Sequence, residues 1–215
     1  MRRLIPDIEA IGAAAADALA AKNLAREAAF GRCREATRHA ANAIRAVHRG
    51  DFERGRQLIE RAALLLREAK EALRDAPDIR YAGFVHDAEK EYAEAELTLA
   101  FIAVAPRLPR AEDLGVEIAA YLNGLGEAVG ELRRYLLDTL RKGDVAACEV
   151  CLEVMDEAYG ILVSFDYPDA MTGGLRRTTD SVRGILERTR GDLSVAVRQR
   201  DLERRLLDFE GRLSP

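Results

Sequence analysis

Apolar residues recur along this chain at intervals of three and four, the period of an amphipathic helix. Ile44 and Val47, then Leu58, Leu65 and the apolar set within residues 61 to 73, form one such stripe. In residues 81 to 102, Tyr81, Phe84, Val85, Ala88, Tyr92, Ala95, Leu99 and Ile102 fall within an arc of about 100°. In residues 111 to 142 the stripe is Leu114, Ile118, Tyr121, Leu122, Leu125, Val129, Leu132, Leu136 and Leu140. Most charges fall on the outer faces. Near the C-terminus the apolar fraction drops, and Arg176, Arg177, Arg183, Arg188 and Arg190 gather around Val182, Ile185 and Leu186. Such a helix covers a bundle or meets another subunit.

Breaks are sparse: Gly50-Asp51, Ala76-Pro77-Asp78, residues 106 to 109, Gly143-Asp144, and the loop at residues 166 to 174. They predict helices over roughly 7 to 49, with a bend, and over 51 to 75, 78 to 104, 111 to 142, 144 to 164 and 174 to about 210. At two breaks a Gly suited to end a helix precedes an Asp suited to cap the next. Stretches of this length are roughly 30 to 60 Å long. With short connections they pack as an elongated antiparallel bundle of about six to seven long helices.

Composition sharpens this to an all-α protein with one domain over residues 1–215. Ala, Leu, Arg and Glu dominate, aromatics make up 6%, Trp is absent, and runs suited to strands are scarce. The net charge of −4, from 33 basic and 37 acidic side chains, repels polyanions at long range. Contact with nucleic acid would therefore need one concentrated basic surface. Cys33, Cys148 and Cys151 are an odd number without a zinc spacing, which suits a reducing cytoplasm, and Cys148-x-x-Cys151 reads as helix interior. The first seven residues carry no leader signal, and no window approaches the ~20 apolar residues of a membrane span, so a soluble, cytoplasmic protein is expected.

Candidate chemistry begins with the run Lys90-Glu91-Tyr92-Ala93-Glu94-Ala95. Glu91 lies about 20° outside the apolar arc and Glu94 about 60° further, so both carboxylates border the buried face. Carboxylates three residues apart repel unless a cation intervenes, and a hard ion such as Mg²⁺ or Mn²⁺ takes oxygens from both. In a chain that is 33% charged, the same pair also suits ordinary solvated surface. Glu127 lies opposite its own apolar stripe and reads as surface, but Ala120, Gly124 and Ala128 on that side permit close approach of another helix or a ligand.

Four stretches resemble the translin and translin-associated factor X proteins. They are Cys33-Arg34-Glu35-Ala36-Thr37 through Ile44, His48 and Arg49, and Arg80-Tyr81-Ala82-Gly83 through Ala95. The third is Tyr121 through Arg134, continuing to Gly143-Asp144, and the fourth is Tyr167-Pro168-Asp169 through Arg176-Arg177, Val182 and Arg190-Gly191. The resemblance implies a bundle of seven helices assembling into a hollow homo-octamer that holds single-stranded RNA or DNA. It also implies the catalytic factor X branch, whose metal-dependent endoribonuclease site is an E-Y-x-E-A run plus a later acid. Glu91 and Glu94 match the run; the third position, usually Asp, is Glu127 here. Catalytic and metal-binding residues are thus Glu91, Glu94 and Glu127, with Mg²⁺ or Mn²⁺, and Arg34, Arg80 and His86 are candidates for phosphate contacts. Two alternatives stay open: a translin-type assembly that binds single strands without cutting them, and a helical interaction protein with no nucleic-acid partner.

Overall fold

The computed structural model describes residues 8–213, and all regular structure among them is helical. The expected absence of a leader in residues 1–7, and the expected helix start at residue 7, lie outside the described residues. Six long helices carry the fold: α1 (Ile8–His48), α2 (Phe52–Ala72), α4 (Gly83–Ile102), α6 (Ile118–Leu140), α7 (Val145–Val163) and α9 (Leu175–Leu213). Between them lie three single turns, α3 (Pro77–Arg80), α5 (Ala111–Leu114) and α8 (Asp169–Thr172).

Both Gly-Asp breaks work as stop and start. Gly50 and Gly143 take φ of 78° and 84°, and the Asp51 and Asp144 carboxylates accept hydrogen bonds from the backbone N–H of Arg54 (3.1 Å) and Ala147 (3.0 Å). Two expected helices are each split. Residues 78 to 104 break where Ala82 is extended and Gly83, a poor helix former, restarts the chain. Residues 111 to 142 break where Gly115 turns left-handed at φ 64°. Both splits strand an apolar residue assigned to the core: Tyr81 is 74% exposed and Ile118 58% exposed. The first helix runs without interruption from residue 8 to residue 48.

α6 is the centre of the bundle, packed on α4 at one side and on α7 and α9 at the other. That position explains why its buried residues exceed a single stripe. Leu122, Leu125, Val129, Leu132 and Leu136 are buried as expected, and so are Ala120, Asn123, Gly124 and Ala128 on the other flank. α1 joins α4 on its far side and pairs with α2. Leu97, Leu136, Met155, Leu162 and Leu186, all fully buried, come from four of the long helices. Each stabilises the fold by roughly 1.5–3 kcal/mol through removal of apolar surface from water.

The 166–174 loop is tied down from inside. Asn123 donates to the carbonyls of Ala119 and Thr172, both at 2.8 Å, and accepts from the Thr178 hydroxyl at 2.6 Å. The three cysteines are free, and burial pushes the Cys33 and Cys151 thiols up to about 11. Cys148 is buried beside the Leu136 carbonyl, so the C-x-x-C pair is packing rather than chemistry. No described helix is long and apolar enough to cross a membrane.

Candidate functional site

α4 and α6 cross with almost no separation at Gly124. A Cβ there would stand 2.8 Å from the Lys90 carbonyl oxygen, 2.9 Å from Ala93 Cβ and 3.0 Å from the Glu94 nitrogen. The small-residue flank seen in the sequence is thus a helix–helix contact, and Glu127, three residues on, is carried to the acidic run of α4. Gly124→Ala is expected to destabilise the protein by about 1–3 kcal/mol through overpacking, measured by denaturant unfolding. Unchanged stability would mean that the crossing is looser than described.

The structure brings the three predicted acids together. Lys90 Nζ lies 3.5 Å from Glu91 Oε1 and 3.5 Å from Glu127 Oε1, bridging the two helices. Glu94 stands beside this bridge, half-buried, with no hydrogen bond or ion pair from the described residues. Burial, and then the charges of Glu91, Glu127 and Glu131, push its carboxyl up to about 8 against a partial offset from Lys90. Burial pulls the Lys90 ammonium down, but Glu127 and Glu91 outweigh it and the net shift is upward.

Two participants, Glu131 and His48, were not expected. Glu131, one turn past Glu127, accepts a hydrogen bond from His48 Nε2 at the end of α1 and lies 3.6 Å from Arg134 Nη1. The His48 bond holds the Glu131 carboxylate below its ordinary range. Lys90, beside Glu91 in the sequence, already suits an ion partner of the acids; its reach to Glu127 across the two helices is what the structure adds. An i, i+4 pair of acids at 127 and 131 is the one sequence signal that pointed to Glu131.

No group of three or more His, Cys, Asp or Glu among the described residues is gathered tightly enough to hold a metal ion. The acids therefore share an electrostatic field without converging on one point, and the Lys90 ammonium stands between two of them. Their chemistry nonetheless fits a hard divalent cation. Every candidate ligand atom is a carboxyl oxygen, the donor type a hard ion takes.

The candidate phosphate contacts divide. Arg80 and His86 line one cavity of about 390 Å³ with Tyr81, Glu117 and Met171. Arg80 Nη2 lies 3.9 Å from Glu117 Oε1. His86 packs close to Gly173, whose φ is 59°; a Cβ there would come within 2.6 Å of the imidazole. Arg34 is exposed on α1 and does not line this cavity.

Glu89 also reaches this cavity and is 2% exposed. Its carboxylate pairs with Lys70 Nζ and accepts the Glu117 N–H at 3.1 Å, while Lys70 also donates to the Gly115 carbonyl at 2.5 Å. One buried ion pair thus fixes the turn from which α6, and with it Glu127, begins.

No family model matches the chain. It is 30% identical over 193 residues to an uncharacterized protein of Methanocaldococcus jannaschii, covering 87% of this chain and 83% of that one. Among solved structures, AfC3PO is similar at 37% identity with a TM-score of 0.79, over 86% of this chain and 96% of that one. The structure of an AfC3PO complex with duplex RNA is similar at 36% identity with a TM-score of 0.77, at the same coverage. Apo-NeC3PO, at 21% identity and a TM-score of 0.73 over 90% of this chain and 98% of that one, shares the fold.

Proposed function

We propose that this chain, which belongs to the translin family, is a metal-dependent endoribonuclease of the factor X type that cuts single-stranded RNA inside a hollow assembly of its own copies. The observation that carries this reading is Glu94: a half-buried carboxyl, faced by Glu91 on its own helix and by Glu127 and Glu131 on another, so that four acids from two helices share one region. Glu91, Glu94 and Glu127 would hold Mg²⁺ or Mn²⁺. Such an ion would supply Lewis-acid polarisation of the scissile phosphate.

The side chains divide the remaining work. His48 keeps Glu131 ionised and in place, adding negative charge beside Glu94 without lying on its helix. Lys90 offsets the charge of Glu91 and Glu127 and ties the two helices together. Arg80, with His86 beside it, offers a cationic wall for phosphate, and Arg34 a further contact on α1. The complex of AfC3PO with duplex RNA supports RNA as the class of ligand, without favouring the single strand.

Self-association is supported by apolar side chains left in solvent at the two free ends of the bundle: Ile8, Ile11, Leu19 and Leu24 on α1, and Leu202, Leu206, Leu207 and Phe209 on α9. An octamer is the proposed state. A chain that runs as a monomer in light scattering counts against it. The free cysteines fit a reducing, cytoplasmic setting.

One observation favours a second reading, an assembly that binds single-stranded RNA or DNA without cutting it: Lys90 already compensates two of the acids. Incubation of labelled single-stranded and duplex RNA with Mn²⁺ separates the two. Cleavage of the single strand that is lost in Glu91→Ala, with binding retained, is the expected result. Binding without cleavage establishes the second reading, and cleavage that survives Glu91→Ala removes the acids from the chemistry.

A further inference from the structure

In a chain with more acids than bases, one helix segment departs from the balance. Residues 31–49 of the sequence hold five arginines and a single carboxylate, Glu35. Arg34, Arg38 and Arg45 fall within about 40° of one another at 3.6 residues per turn, and Arg49 follows in the turn that closes α1. They lie opposite the buried stripe of Ala29, Cys33, Ala36, Ala40, Ala43 and Val47, and all four are exposed. Along the axis they extend about 22 Å.

Many surface arginines here are neutralised on their own helix by an acid three residues away, as in Arg56–Glu53, Arg74–Glu71, Arg141–Asp138 and Arg183–Asp180. On the α1 stripe only Arg38 has such a partner, Glu35 at 4.0 Å. No carboxylate among the described residues pairs with Arg34, Arg45 or Arg49, and Arg45 bonds only the neutral Asn42 side chain, at 2.7 Å. α2 adds Arg54 and Arg61 from the flank. After burial, the charges of Arg38 and Arg61 are the main influences that lower the neighbouring His39, with Glu35 opposing them and Arg54 adding to them. The His39 Nδ1 atom is buried without a partner.

The stripe also has a direction. It ends at Arg49, the residue after His48, whose imidazole holds Glu131 beside Glu94. Given the RNA-binding reading proposed above, we infer that Arg34, Arg38, Arg45 and Arg49 form a track for the phosphate backbone of one RNA strand, leading it to the acid cluster. Exposed arginines spaced along a single face contact phosphates without reading bases, so the track accepts any sequence. It also places positive charge where the acids alone would repel the strand.

The test is the salt dependence of RNA binding by the full-length chain. Each phosphate contact contributes about 0.7 to the slope of log K against log salt for a single strand. The triple variant Arg38→Ala, Arg45→Ala, Arg49→Ala is expected to lower that slope by about 2 and to weaken binding at least ten-fold at ~0.1 M salt. The matching Arg→Lys triple is expected to restore the slope, which a purely structural role for the guanidinium groups would not allow. Arg198→Ala, Arg200→Ala, Arg205→Ala on α9, equally exposed, serves as the control and is expected to bind like the wild type. An unchanged slope in the α1 variant, or an equal loss in the α9 variant, overturns the track while leaving RNA binding intact. A wild-type protein that binds no RNA overturns the track and the proposed function together.

Discussion

Glu94→Gln is expected to make the cation-free protein more stable at pH 8 while abolishing Mn²⁺-dependent cleavage of single-stranded RNA. The stability half follows from the direction of the shift. In the folded chain the Glu94 carboxyl is pushed up to about 8 from 4.5, so between those values the folded state binds a proton that the unfolded state has released. Stability contributed by this group is therefore full below about pH 4.5 and declines as pH rises through 8. A neutral amide escapes that decline. After discounting for solvent at a half-buried site, the gain at pH 8 is about 1–2 kcal/mol, or a few degrees in Tm, and close to zero at pH 4.5. The activity half follows from the same carboxyl: an amide cannot supply negative charge to a divalent ion, and a loss on the order of 10²-fold or more in rate is expected. Melting curves at both pH values, with and without Mn²⁺, and a cleavage assay measure the two together. Added Mn²⁺ should raise the Tm of the wild type at pH 8 and leave the variant nearly unmoved. Lower stability of the variant at pH 8 would remove the electrostatic account, whereas retained cleavage would take Glu94 out of the chemistry.

The other large effect is structural. Glu89→Ala is expected to destabilise the fold by about 3–5 kcal/mol, because it strands the Lys70 ammonium and removes the acceptor of the Glu117 N–H. For a chain of 215 residues that lowers Tm by roughly 10 °C or more. The informative comparison is the double variant Lys70→Met, Glu89→Leu, which removes both charges and keeps apolar volume. It is expected to recover most of the loss, since a buried pair replaced by packing is often neutral. If Glu89→Ala alone melts like the wild type, the pair does not anchor the start of α6.

What the sequence disclosed, and what it hid, follows from treating helices one at a time. Periodicity and the Gly-Asp breaks located the six long helices, because those signals are local. The splits at Ala82 and Gly115 were not legible: Tyr81 and Ile118 continue the apolar period although the chain has already turned, and both stand in solvent. Glu91 and Glu94 were visible as acids on the shoulder of a stripe. Glu89, on the opposite shoulder, was not singled out, since a single-faced wheel does not foresee that α4 is buried against α1, α2 and α6 together. Glu127 pointed away from its own stripe; the small residues beside it permitted a close approach, and only the family resemblance joined it to the other acids. His48 carried no local signal and Lys90 only its place beside Glu91, because the contacts to Glu131 and Glu127 exist only across helices.

The approach of α6 to α4 at Gly124 has a further consequence. The bare backbone of Gly124 against the main chain and Ala93 of α4 sets the separation there, so it acts as a fixed gauge for as long as position 124 carries no side chain. With the gauge fixed, the length of the acid at position 127 becomes the one free dimension of the aperture. Trading Glu127 for the shorter Asp would adjust the reach of that ligand by a single methylene while the frame stays where it is, a fine adjustment open to this chain without rebuilding the bundle.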